Sequence, residues 1–339
     1  MDFAGIIDYY AIESPPPGAD DETTLAFIEH QYSGEFGGFP ARFPYWPYGQ
    51  RDYIPQINWY PYVGFDIWSV DQFAYAGVQF SRSNSGDLRT YDVALGQFSR
   101  GATAGALATC DCDQPDIRTY GETDYYVWVT EGIGVIKKRN SPPLYDHLGR
   151  GPRLLVEDGR AFWTVFDAEM EDLIDVLAGA ASSLADDPAY VEAVRLSASL
   201  GLIRDMSISS RNLSLAEAVA SSWADGIETV AQKAPLLKPF GIVAVSSGFD
   251  GERPFFGIVI GGHEDAASAV ENSKTLLDRL SKVPKGGPND APWSELLELV
   301  EISVQGDYVV ARMYYRDPLM RSGYTADGFL LFNTLFIHE

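Results

Sequence analysis

The stretch Tyr91-Asp92-Val93-Ala94-Leu95-Gly96-Gln97-Phe98 is an apolar-rich run that leads directly into the small-residue segment Ala102–Thr109. A short run at Ile117–Tyr120 follows, then Gly121 and the aromatic run Tyr125–Val129. The same order returns later in the chain. Phe255-Phe256-Gly257-Ile258-Val259-Ile260 precedes a helical stretch, Glu264–Leu280, then Leu299–Val304, Gly306 and Tyr308–Tyr314. Short apolar runs predict strands, and longer segments with one apolar stripe predict helices. A strand–helix–strand–strand order used twice predicts an α+β protein of two related βαββ-containing units. Each unit is expected to hold an antiparallel sheet with helices packed on one face.

The first unit is placed at 91–235. Beyond its opening pattern it holds a strand at Ala161–Phe166. A helix follows in which Met170, Leu173, Ile174, Leu177 and Ala181 recur at the spacing of one buried face. Asp187 with Pro188 reads as an N-cap and first helical residue, opening a helix to about Leu200. Ile203–Ser209 reads as a strand, and Ser214 with Glu217 as a capping box opening a helix to about Lys233. The second unit is placed at 236–339. It begins with a strand at Phe240–Val245, turns at Asp250-Gly251, and ends on the apolar tail Phe329–Ile337, expected as a final core strand.

Two segments precede these units. Residues 1–35 read as a lead-in, with a short helix around Thr24–His30 and a Pro/acidic tether, Pro15-Pro16-Pro17-Gly18-Ala19-Asp20-Asp21-Glu22. Residues 36–90 read as an aromatic, proline-rich wrapping segment, in which prolines at such density forbid a regular helix. Its aromatics either complete the core of the first unit or form a platform for a glycan or a protein partner. The platform residues would be Tyr45, Trp46, Tyr48, Trp59, Tyr60 and Trp68.

Charge excludes some partners. A net charge of −23 over 339 residues leaves nothing to replace phosphate counterions, which argues against nucleic acid and against an anionic membrane surface. No stretch of 18 apolar residues exists, so no transmembrane segment is expected. Met1-Asp2-Phe3 lacks the basic start and apolar run of a signal peptide, and the reading stays cytoplasmic if Met1 is the native start. The tether nonetheless favours an extracytoplasmic protein, in the envelope or secreted.

The chemistry-bearing residues are sparse. Cys110 and Cys112 are separated by one residue. Free thiols at a helix end, a disulfide in a small ring, and weak metal ligation beside Asp111 and Asp113 all stay open. His30, His147, His263 and His338 are far apart and lack metal-ligand spacing; His263 reads as a helix-start residue. No serine elbow, phosphate loop, dinucleotide fingerprint or EF-hand loop is present, and Gly132-Ile133-Gly134 is a turn. No catalytic residue and no cofactor are implied. Paired carboxylates could serve a hydrolase, but the sequence alone does not pair them.

The run Tyr91–Phe98, the stretch ending Gly105-Ala106-Leu107, the Tyr120-Gly121 turn with Tyr125 and Tyr126, and the step Ser183-Leu184-Ala185-Asp186-Asp187-Pro188 resemble a module of uncharacterised bacterial exported proteins of lipoprotein type. The resemblance spans roughly residues 60–320 and rests on structural motifs. It implies an extracytoplasmic location, with a lipid anchor on the native precursor, although no lipobox cysteine stands near Met1. It carries no catalytic residues. The expectation is an exported, non-catalytic envelope or cell-surface protein that binds a protein or glycan partner. The alternatives are a carboxylate-dependent hydrolase of cell-wall polymer and a structural subunit of a secreted or envelope assembly.

Overall fold

The computed structural model describes residues 59–66, 69–79, 88–128, 136–138, 145, 149–210, 213–220, 227–284, 291–316 and 334–339, with scattered positions between 13 and 26. The chain divides at Ser182/Ser183 into two units. In the first, helix α1 (Tyr60–Val63) precedes strands β1 (Val70–Gln79) and β2 (Leu88–Gly96). Helix α2 (Arg100–Thr109) leads to β3 (Asp116–Tyr120) and β4 (Thr123–Val127). Strands β5 (Arg153–Glu157) and β6 (Arg160–Thr164) then lead into α3 (Asp167–Leu177). The strands form one antiparallel sheet in the order β1-β2-β6-β5-β4-β3.

Strand alternation sends side chains of this sheet into two layers. Ala94, Leu154 and Trp163 join Phe98 and Leu107 on the side of α1 and α2. Val127, Leu155 and Phe162 pack under Met170 and Ile174 of α3 on the other. The N-terminus of α2 is capped by Ser99, whose Oγ accepts the Ala102 N–H. Each fully buried large apolar side chain of this kind contributes roughly 1.5–3 kcal/mol.

The second unit opens with α4 (Pro188–Ala198) and β7 (Leu202–Ser209), followed by α5 (Leu215–Ala220) and α6 (Ile227–Ala231). Strands β8 (Ile242–Phe249) and β9 (Pro254–Gly261), helix α7 (Ala266–Lys282), and strands β10 (Leu297–Gln305) and β11 (Tyr308–Tyr315) complete it. The sheet is again antiparallel, in the order β10-β11-β9-β8-β7. The caps fall where the sequence places them. Asp187 Oδ1 accepts the Ala189 N–H at 2.8 Å. Ser214 and Glu217 form the reciprocal capping box at 3.0 and 3.3 Å. Asp265 Oδ1 accepts the Ser268 N–H at 2.7 Å, so Asp265 rather than His263 starts α7.

The α+β class with two antiparallel sheets is as the sequence predicts, but three expectations change. Helices lie on both faces of each sheet. In the second unit, α7 covers Val243, Val245 and Ile258, while α4 covers Ala244, Phe255 and Val259. Every residue of β8 is buried, which is the continuous apolar signature of a strand covered twice. The unit boundary is not near 235, because β7 pairs with β8 along its length and α4 packs on that same sheet. Of the apolar tail, residues 329–333 lie outside the described residues; Thr334–Ile337 is buried without being a strand, Thr334–Phe336 forming a single 3-10 turn, and His338 makes isolated parallel bridges to Ser214 and Leu237.

The hairpin–helix–hairpin order recurs in both units, yet the pairing differs. Strand β11 lies directly beside β9, whereas the hairpin β5–β6 stands between β4 and β2. Close backbone approach fixes one glycine: a Cβ on Gly261 would meet the Tyr308 ring at 2.0 Å. No helix among the described residues is long and apolar enough to cross a membrane.

Candidate functional site

The aromatic segment enters the described structure at Trp59, which precedes α1. Pro61 sits in the first turn, and Gly64, at φ 73°, closes the helix by donating its N–H to Tyr60 O. A Cβ on Gly64 would lie 2.5 Å from the Ala102 carbonyl, so the chain here runs against α2. Trp59, Val63 and Phe65 are buried in the first core layer, and Phe65 meets Phe98 edge-on at 5.2 Å between ring centroids. Trp59 is therefore a core residue and not a stacking platform, the opposite of its candidate role. Tyr60 is half-buried. Tyr45, Trp46, Tyr48 and Trp68 lie outside the described residues, as do His30, His147 and the turn at 132–134.

The cysteine pair is resolved by the structure: Cys110 and Cys112 are joined as a disulfide, with Cα atoms 5.3 Å apart. Cys110 caps the C-terminus of α2, its N–H donating to Ala106 O. Both half-cystines are partly exposed, and the Gln114 amide lies 3.5 Å from one sulfur and 4.0 Å from the other. The next residue anchors the chain. Asp113 O accepts the Trp128 indole N–H at 2.9 Å, and its carboxylate accepts from Tyr145 Oη at 3.0 Å and pairs with Lys138. The hydrogen bond from Lys138 holds the Asp113 carboxyl below its ordinary range. Burial, followed by the Asp113 carboxylate, pushes the Tyr145 phenol up. Asp113 is thus engaged with a cation and a phenol, and the free-thiol and metal readings of the cysteines give way. Among the described residues, no group of three or more His, Cys, Asp or Glu is placed to hold a metal ion.

The inner charges of this unit are Asp167 and Glu169 of α3 and Asp92 of β2. Asp167 accepts Arg153 Nε at 2.8 Å and pairs with Arg118. Burial works to raise its carboxyl, but the two guanidiniums together hold it below the usual range. Glu169 Oε2 accepts the N–H groups of Val165 and Phe166 at 3.0 and 3.1 Å. Asp92 is the unusual member. It is 2% exposed, and its Oδ1 has no hydrogen-bond partner. Burial, reinforced by the charge of Glu169, raises its carboxyl well above the ordinary value of 3.8.

A carboxyl raised by burial suits acid–base work where substrate reaches it. Asp92 and Glu169, however, are 2% and 1% exposed, so substrate and water do not reach them. Their consequence is for stability. Between the ordinary carboxyl value and the raised one, the folded chain binds one proton more than the unfolded chain, so stability falls as pH rises through that window. Asp92→Asn is expected to remove this slope and to be more stable than the parent at neutral pH. Urea unfolding of both proteins across the acidic and neutral range measures it. Parallel pH profiles would contradict the assignment.

In the second unit His263 is buried and structural. Its Nδ1 donates to Asp307 O at 2.5 Å, since a carbonyl only accepts, which leaves Nε2 to accept from the Asn272 amide at 2.9 Å. Asn272 also accepts the Lys238 N–H at 2.7 Å and donates to Lys238 O at 3.0 Å, tying α7 to the chain before β8. His338 Nδ1 lies 2.8 Å from Glu339 O. Arg279 is completely buried, and among the described residues its hydrogen bonds go to backbone carbonyls, those of Ala231, Pro235, Thr334 and Leu335.

Comparison with known proteins finds no matching family model and no matching curated protein. A solved structure of TP0453, in its crystal form III, is similar over 86% of this chain and 88% of its own, at 12% identity and a TM-score of 0.35. A likeness at that level carries no argument.

Proposed function

We propose that this chain is an extracytoplasmic, non-catalytic protein of the cell envelope or cell surface that binds a protein or glycan partner. The observation that carries the reading is the Cys110–Cys112 disulfide, because disulfides form and persist in oxidising compartments and are rare where thiols are kept reduced. A net charge of −23 supports it by favouring high solubility and repelling polyanions. The engagement of the inner carboxylates supports the non-catalytic part: Asp113 and Asp167 are paired with cations, and Asp92 and Glu169 are sealed from water.

With Trp59 in the core, binding falls to Tyr45, Trp46, Tyr48, Tyr60 and Trp68. An indole stacked on a sugar or set in a partner's pocket carries a large share of binding energy. Titration with soluble peptidoglycan fragments, followed by tryptophan fluorescence, tests the glycan arm. Saturable binding that Trp46→Ala weakens about tenfold, with an unchanged unfolding midpoint, is the expected result. Equal affinity of the two proteins would remove Trp46 from the site.

A further inference from the structure

We propose that Cys110 and Cys112 form a thiol–disulfide exchange site, reduced by a dithiol co-reactant and re-formed by that co-reactant's disulfide, while the fold around them stands. The inference goes beyond the binding reading, which survives its failure, since an inert disulfide is equally at home in an oxidising compartment.

The bond is poorly placed to act as a structural staple. It spans a sequence separation of 2, and the chain-entropy contribution of a cross-link is least for so short a loop. Both ends of that loop are already held. Before it, α2 is fixed by buried Thr103 and Leu107, and the Cys110 N–H closes the helix onto Ala106 O. After it, Asp113 is anchored by Trp128, Lys138 and Tyr145. Opening the bond therefore frees little chain, and the two sulfurs stay close enough to re-form it.

The surroundings also suit exchange. Both half-cystines are partly exposed, so a co-reactant can reach them, as it cannot reach a disulfide sealed in a core. The Cys110 sulfur lies 3.6 Å from Leu107 O. A disulfide sulfur has no proton to donate, but the reduced thiol would find this acceptor in place. The Gln114 amide beside both sulfurs can donate to the thiolate that leaves. No cysteine remains over to divert the pair.

The step balances. One thiolate of the dithiol attacks a cysteine sulfur, the Cys110–Cys112 bond breaks, and its electron pair leaves on the other cysteine, which takes up a proton. The second thiolate then attacks the mixed disulfide and releases the first cysteine, also protonated. The co-reactant departs as its own disulfide, having given two electrons and two protons to the protein.

The test uses the full chain with dithiothreitol as the probe at about 1 mM, reading alkylated thiols by intact mass. Reduction in native buffer is expected to proceed within about tenfold of the rate in guanidinium, with the near-UV circular dichroism unchanged, and oxidised dithiothreitol should restore the monomeric disulfide form. Reduction more than about a thousandfold slower in native buffer, or reduction that abolishes the near-UV signal, would overturn the proposal. The double variant Cys110→Ser with Cys112→Ser separates the two roles. It should fold with a near-parental midpoint, and an unfolded double variant would make the bond structural and end the proposal.

Discussion

Arg279→Met is expected to cost the second unit about 3–5 kcal/mol, measured as a lower urea midpoint at unchanged slope. The Arg279 guanidinium is buried, with Nε donating to Leu335 O at 2.7 Å and Nη1 to Pro235 O at 2.8 Å and Ala231 O at 3.2 Å, while Nη2 donates to Thr334 O. Burial pushes it down to about 10, so it still carries its charge at neutral pH. It has no carboxylate partner among these contacts. Its counterpart is the negative end of backbone dipoles, at the close of α6 and at the 3-10 turn Thr334–Phe336. Methionine fills a similar volume but takes the guanidinium donors from four carbonyls, of which Thr334 O keeps the Ile337 N–H at 3.4 Å; each buried carbonyl left without a donor costs about 1–3 kcal/mol before relaxation.

The C-terminal segment should loosen first. Glu339 N–H donates to Leu237 O, and Leu215 N–H to His338 O, so these amides should exchange faster in the variant. Arg279→Lys should fall between, because one ammonium does not reproduce the planar fork. A variant within about 0.5 kcal/mol of the parent would show that the clasp does not hold the tail.

Trp59→Ala is expected to lose about 3–5 kcal/mol of stability in the first unit. The indole is 7% exposed and packs in the layer that holds Phe65, Phe98, Trp128 and Trp163. Truncation removes its burial and leaves a cavity under α1, while Trp59→Phe should keep much of the contact. Thermal and urea unfolding measure this. If Trp59→Ala unfolded like the parent and only ligand binding suffered, the residue would belong to a platform and not to the core.

These two residues show where sequence reading reaches and where it stops. Most strands and helix starts were legible because their causes are local: strand periodicity, a cap three residues from its partner, proline at a first helical position; β1, inside the segment read as wrapping, and β5 were not. The boundary at Ser182/Ser183 was not, since it depends on β7 pairing with β8 some forty residues on, a choice that no local pattern states. Helices on one face only were expected from single apolar stripes. The fully apolar runs at β8 and β9 were the better signal, because such strands need cover on both sides.

The inner charges left faint marks. Asn272 and Arg279 fall on the same stripe of α7 as Ala269 and Leu276, at spacings of three, seven and ten residues from Ala269. Polar residues on a buried stripe announce a burial problem, but not its solution. The carbonyls that receive Arg279 come from distant positions and any residue type supplies them. Asp92 alternates onto the face of buried Ala94, which the strand period alone could have shown. The pairing of Cys110 with Cys112 was one of three open readings, and spacing alone did not choose among them.

The central claim is that the chain works in an oxidising compartment outside the cytoplasm, and its most direct test is the thiol state of the native protein in its host. Cells are fractionated under acid quench, free thiols are alkylated before any reduction, and the intact mass is read. The account predicts no alkyl group on Cys110 or Cys112 and the protein in the envelope or secreted fraction. Two alkyl groups on protein from the cytosolic fraction would contradict it.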